Sequence, residues 1–258
     1  MPMLQQADLA PERHDRIREM LRIQSAVRLN ALCEVLQVSP ATVRRDLEEL
    51  ERNGELRRVH GGAVSVHSAL EEPVFDEKVQ LGAAEKQRIA QAALEHIRGG
   101  DTIYLDGGST LLALARLLKH RNDVTLVTNS IRAAQELAGS GPRLILVGGK
   151  LRRLSQTMVG PLTRATLDCL HVDKAFMGTL GLTLDALTTT DPDEAFTKEL
   201  AMGRADTVYL LVDSSKVGKT ALSRAGSLDD VDVVITDVKM DPLFAQGLRE
   251  KDIDVVQV

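Results

Sequence analysis

The stretch Val38-Ser39-Pro40-Ala41-Thr42-Val43-Arg44-Arg45-Asp46-Leu47-Glu48-Glu49-Leu50-Glu51-Arg52-Asn53-Gly54-Glu55-Leu56-Arg57-Arg58-Val59-His60-Gly61-Gly62-Ala63-Val64 carries the clearest structural signal in the chain. Ser39 suits a helix N-cap, and Pro40 stands at the first helical position, where a missing N–H costs nothing. Val43, Leu47 and Leu50 follow at i, i+4 and i+7, which makes one face apolar, and Asn53-Gly54 ends the helix. Residues 55–64 then read as two short strands around a Gly pair.

Two further helices precede this one. Residues 11–23 place Ile17, Met20 and Leu21 on one face, and residues 29–36 place Leu29, Leu32, Cys33 and Leu36 at i, i+3, i+4 and i+7. Cys33 therefore reads as a core residue rather than a reactive thiol. Three helices and a two-stranded tail predict a winged helix-turn-helix, with 37–39 as the turn.

With Val43 facing the core, Thr42 and Arg45 point away from it and Arg44 lies at the flank. All occupy the first two turns, the part of a recognition helix that enters the major groove. Arginine can bridge guanine O6 and N7, while Ser39, Thr42 and the helix N-terminus suit phosphate oxygens. Arg57, Arg58 and His60, beside the Gly pair, suit backbone or minor-groove contacts. A bland alternative is a solvated helix in which Arg44–Glu48 and Arg45–Glu49 pair at i, i+4.

The 258 residues, 43% apolar and 27% charged, fit an ordinary globular protein of two domains. No apolar run approaches membrane-spanning length, no secretory signal is visible, and the expectation is a cytoplasmic protein. Two cysteines, Cys33 and Cys169, exclude a disulfide framework and a Cys-rich zinc site, and no metal or cofactor is expected. Six aromatic residues and no Trp leave little platform for stacking single-stranded bases, whereas a reader of double helix needs none. Residues 1–64 balance ten Arg against ten acidic residues, so the net charge of −5 belongs to the remainder. That argues against a nonspecific polyanion binder but not against DNA reading by placed arginines.

The domains divide as 10–65, a linker over 66–74 and 75–258. The last region alternates strands with helices, which implies a mainly parallel sheet covered on both faces. Expected strands are 102–106, 124–128, 143–147, 174–178, 207–212, 231–236 and 253–256; expected helices are 83–97, 109–119, 130–138, 192–204 and 242–250. Strand 102–105 runs into Asp106-Gly107-Gly108-Ser109-Thr110 and then a helix, whose free N–H groups suit an anion. Taken alone, such a turn is as often a packing device. Thr128-Asn129-Ser130, Gly148-Gly149-Lys150 and Asp213-Ser214-Ser215-Lys216 also follow strands, and ligands of open α/β sheets bind beyond strand carboxyl ends. Lys150, Arg152, Arg153 and Lys216 could supply positive charge. Glu194 and Lys198, at i, i+4, read either as an acid/base pair or as an ordinary surface ion pair.

The stretch 13–63 closely resembles the DNA-binding domain of DeoR-type bacterial transcriptional regulators, through VS-x-x-T-V-R-R-D-L and R-x-H-G-G-A. The likeness continues through DGGST, TNS, GGKLR, GTLGL, EAFTK and DSSK, in the order of DeoR-type sensor domains. It implies an α+β winged helix-turn-helix joined to a larger α/β sensor domain similar to ribose-5-phosphate isomerase and glucosamine-6-phosphate deaminase. It also implies a phosphorylated sugar or related metabolite as effector. Gly108, Ser109 and Thr110 would then hold the phosphate, with Gly107 in the same turn. Asp106, Asn129, Gly149, Lys150, Glu194, Lys198 and Lys216 would line the site. Lys78 stands where the family often has Arg.

The function expected is a regulator of a carbohydrate operon, in the form of a repressor relieved by a sugar phosphate, acting as a homo-oligomer on double-stranded operator DNA. The alternative is a sugar-phosphate isomerase or deaminase with an accessory DNA-binding segment. The absence of an Asp-x-x-Asp-Glu or Asp-x-His cluster disfavours the enzyme.

Overall fold

Ile17, Leu32, Leu36, Val43, Leu47, Leu50, Leu56 and Ala63 are buried together, joining the expected helical faces to the wing. The computed structural model describes residues 9–24, 26–53, 55–59, 61–65, 72–139 and 141–258, and the chain divides into two units, 1–71 and 72–258. The first contains α1 (Ala10–Gln24), β1 (Ala26–Arg28), α2 (Leu29–Leu36), α3 (Pro40–Arg52), β2 (Leu56–Val59) and β3 (Gly62–Ser65). Ser39 caps α3 by accepting from the Thr42 N–H, with Pro40 in the first turn. Cys33 packs against the core, half-buried.

The wing has one strand more than the sequence discloses. β1 pairs antiparallel with β3, giving the order β1-β3-β2. A Cβ on Gly62 would lie 2.0 Å from the Val27 carbonyl oxygen, so glycine there permits the strands to meet. Three residues without alternation are too short to read as a strand. Gly54, His60 and residues 66–71 lie outside the described residues, as does the Arg57 side chain.

The second unit runs α4 (Phe75–Gln80), α5 (Ala83–Glu95), β4 (Thr102–Leu105), α6 (Ser109–Leu118), β5 (Thr125–Thr128), α7 (Ile131–Leu137), β6 (Arg143–Leu146), β7 (Lys150–Arg152), β8 (Thr157–Val159), α8 (Arg164–Leu167), β9 (Val172–Met177), β10 (Gly181–Leu182), β11 (Ala186–Thr189), α9 (Pro192–Met202), β12 (Ala205–Leu211), β13 (Ser223–Ser227), β14 (Val233–Thr236), α10 (Pro242–Arg249) and β15 (Asp254–Gln257). The seven strands expected from the sequence form one parallel sheet in the order β15-β14-β12-β9-β4-β5-β6. Its two faces carry separate cores. Ile103 and Leu105 of β4 belong to one, and Tyr104 between them belongs to the other. The β7–β8 hairpin and the small antiparallel sheet β10-β11-β13 are additions that the sequence pattern does not announce.

Glu72 and Pro73, expected in the linker, belong to this unit. Glu72 is buried, because its carboxylate finds cationic and hydroxyl partners within the α/β unit.

Candidate DNA-reading helix and effector cleft

α3 presents two arginines to solvent. Arg44 and Arg45 are exposed, and neither has a hydrogen-bond or ion-pair partner among the described residues. The i, i+4 pairing with Glu48 and Glu49 does not form. Glu48 instead accepts from Arg58 at 2.6 Å, and Glu51 accepts from the Arg58 side chain and backbone N–H, each at 2.8 Å. Two cations at the start of α3 are thus left available for an external anion. Arg58, expected among the DNA contacts, is held by its own chain, so recruiting it would break these ion pairs. Ser39 and Thr42 share a hydroxyl contact of 3.0 Å at the same helix start.

In the second unit, the chain leaves β4 for β5 and β6 on one side and later adds β9, β12, β14 and β15 on the other. The switch point therefore lies between β4 and β9, where the loops beyond the strand ends part to form a crevice. A cleft opens there, bounded by Gly107–Leu111 after β4 and Gly178–Leu180 after β9. Gly108 precedes α6 at φ +143°, a conformation that side chains other than glycine rarely adopt, and no side chain caps the helix. Ser109 and Thr110, the first residues of α6, line the cleft, and a helix N-terminus carries partial positive charge.

Four lysines, Lys78, Lys86, Lys198 and Lys216, line the same cleft with three carboxylates, Glu72, Glu194 and Asp213. Lys198 is buried, donates to Asp106 and to the Gly178 carbonyl, and lies 3.5 Å from Glu194. Burial opposes its charge, but Asp106 and Glu194 prevail and raise its pKa. The Glu194–Lys198 pair is therefore no surface ion pair. Lys86 donates to the carbonyls of Lys78 and Leu81, and burial pushes it down to about 8. Burial also lowers Lys216.

Of the expected effector residues, the cleft gathers Gly107, Gly108, Ser109, Thr110, Glu194, Lys198 and Lys216. Asp106 acts from behind, accepting from Lys198 and from the Gly178 N–H. Asn129, Gly149 and Lys150 are not part of its lining. Lys150 is exposed and pairs with Asp193 at 2.8 Å, because β7 turns it outward from its strand end. Asn129 is buried, donates to the Met158 carbonyl, and leaves Oδ1 without a partner among the described residues.

The sequence reading missed Glu72 and Lys86 as cleft residues, assigned no contact to Lys78, and named Asp213 only as part of a strand end. Lys86 lies in a helix before the first sheet strand, so no strand-end pattern reveals it. Arg152, named for its charge, joins Glu72 at 2.7 Å and Glu194 at 2.9 Å instead of standing free. Among the described residues, no group of three or more His, Cys, Asp or Glu is placed to hold a metal, and no helix is long and apolar enough to cross a membrane.

The family models for the DeoR-like helix-turn-helix domain and the DeoR C-terminal sensor domain match residues 13–69 and 82–238. An uncharacterized HTH-type transcriptional regulator YulB of Bacillus subtilis is 34% identical, covering 97% of each chain. A lactose phosphotransferase system repressor of Streptococcus mutans is 36% identical over 89% of this chain and 93% of its own. A putative aga operon transcriptional repressor of Escherichia coli O157:H7 is 33% identical over 96% and 93%. Ribose 5-phosphate isomerase A of Methanocaldococcus jannaschii aligns at 22% identity over 51% of this chain and 53% of its own, with a TM-score of 0.37, too loose a likeness to bear on chemistry. With both halves matched in order and the relatives aligned nearly end to end, the chain belongs to the DeoR family of DNA-binding transcriptional regulators.

Proposed function

We propose that this regulator represses carbohydrate-utilisation genes and is released from its operator by a phosphorylated sugar. The observation that carries the reading is the meeting, in one cleft at the switch point, of the uncapped α6 N-terminus with four lysines. Such a site suits a dianion and offers no aromatic platform to a neutral sugar ring. The names of the S. mutans and E. coli relatives, both repressors of sugar systems, support the same direction.

The first-turn amides of Ser109 and Thr110 receive the phosphate, and Lys216 and Lys86 add charge. Glu194 and Lys198 face the sugar hydroxyls. Binding rather than turnover is the role of this cleft, in keeping with the transcriptional regulators among its relatives. Arg44 and Arg45 read the operator. The protein acts in the cytoplasm as a homo-oligomer, because one winged unit reads few base pairs and pairing supplies the rest of the specificity.

The experiment is calorimetry of the full chain with a panel of hexose and pentose phosphates and their unphosphorylated parents. At least one phosphate should bind, and none of the parents should. An isomerase assay on the same panel should show no turnover. Equal binding of parent and phosphate would remove the basis of the reading.

A further inference from the structure

Glu72 is the first residue of the second unit, and residues 66–71 join it to β3 of the DNA-binding unit. Its carboxylate is buried against the cleft. Oε1 accepts from Lys78 at 2.6 Å; Oε2 accepts from Arg152 and from the Thr190 hydroxyl, both at 2.7 Å. Burial works against its charge, yet Lys78, Arg152 and Thr190 hold it down to about 2. The cleft thus already contains an anion supplied by the chain itself.

Charge makes that anion consequential. Four lysines oppose three carboxylates along the lining, an excess of one positive charge. A bound phosphate dianion would reverse the sign, whereas its exchange for Glu72 leaves the cleft neutral. Among the three lining carboxylates, Glu194 is bracketed by Lys198 and Arg152 on a helix and Asp213 caps the following turn. Glu72 precedes its helix, at the end of the unit.

We propose that Glu72 is a built-in competitor of the anionic effector, holding Lys78 when the cleft is empty and expelled when a phosphate occupies it. This rests on the effector-site reading above. Expulsion releases Glu72, the first residue of the second unit, from its three partners. The exchange substitutes one anion for another within the same cleft, frees Lys78 for the newcomer and requires no chemical step.

The test uses inorganic phosphate as probe on the full chain, titrated calorimetrically into the native protein, Gly108→Val and Glu72→Gln. Native protein should bind, Gly108→Val should not, and Glu72→Gln should bind about tenfold or more tighter, because a like charge has left the cleft. Hydrogen exchange on the native protein adds a readout independent of how the variants fold: saturating phosphate should speed exchange of the amides at 74–78. If native protein binds and Gly108→Val does not, yet Glu72→Gln gains nothing, the competition is wrong and the effector site stands. Slower exchange at 74–78 with phosphate bound would likewise overturn the competition. If native protein fails to bind, or Gly108→Val binds as well as native, the effector-site reading falls and takes the competition with it.

Discussion

Arg13 of α1 grips Asp46 of α3 with both arms of its guanidinium, Nε to Oδ2 at 2.7 Å and Nη2 to Oδ1 at 2.8 Å, at a site where the carboxylate is buried. His14 adds a contact of 3.4 Å to the same group. This places Asp46 on the inner side of α3, while its neighbours Arg44 and Arg45 face solvent. The run Arg44-Arg45-Asp46 therefore separates reading from anchoring. Two residues are available to DNA, and the third fixes the angle at which α3 is presented.

Replacing Asp46 with Ala removes two charge-assisted bonds from a buried location. The expected loss is on the order of 3 kcal/mol from the helix-turn-helix unit. Urea unfolding followed by circular dichroism measures it. A change within about 0.5 kcal/mol, the level of a neutral surface substitution, would show that the pair does not hold α1 to α3.

Arg44→Ala and Arg45→Ala should each weaken operator binding. The expected cost is about 1–3 kcal/mol with relaxed preference at one position if the residue reads a base, or a uniform loss with a lower salt slope if it holds phosphate. Arg58→Ala should cost less than either, since its guanidinium is engaged by Glu48 and Glu51. Fluorescence anisotropy on operator selected in vitro ranks the three. An Arg58 effect larger than both others would place the wing, not α3, at the centre of recognition.

Glu72 should make the second unit acid-sensitive. Its carboxyl is lowered from 4.5 to about 2 in the folded chain, so its contribution is present above about 4.5 and lost as pH falls towards 2. The shift corresponds to about 3 kcal/mol. Stability should therefore fall more steeply between pH 5 and pH 3 in native protein than in Glu72→Gln. Parallel urea midpoints in the two proteins would refute this.

Lys86 gives phosphate binding an upper pH limit. Burial lowers it to about 8, so above that pH it loses its charge and the cleft loses attraction for an anion. A phosphate monoester gains its second charge near pH 6, about its second pKa, so affinity should rise through that pH and decline above about 8. In the unfolded chain Lys86 titrates near 10.5, so stability should rise with pH between the two values. Calorimetry at pH 7 and 9 tests the first point, with Lys86→Met expected to flatten the decline.

What could be read from the sequence follows a physical division. Elements specified by local period and end signals were legible: Ser39-Pro40 fixes where α3 starts, and seven apolar runs fix the seven sheet strands. The turn Gly107–Thr110 was legible because a strand end meeting a helix start leaves its own mark. Partnerships across long separations were not. Lys150 and Arg58 have the right charge at the right place in the sequence, yet Asp193 and Glu51 claim them. Glu72 looks like the end of a polar linker, and only the approach of Lys78, Arg152 and Thr190 in space makes it part of the cleft. β1 was invisible for the related reason that its pairing with β3, across more than 30 residues, and not its own pattern, makes it a strand.

A sugar phosphate at the α6 N-terminus should lower operator affinity. Anisotropy of the full chain on its selected operator, titrated with phosphosugars and their parent sugars in native protein and Gly108→Val, measures the effect. At least one phosphate should weaken native binding roughly 5- to 150-fold, the range of ordinary coupling free energies. No parent sugar should do so, and Gly108→Val should bind operator normally without responding. A parent sugar acting as strongly as its phosphate, or Gly108→Val responding like native protein, would contradict the claim.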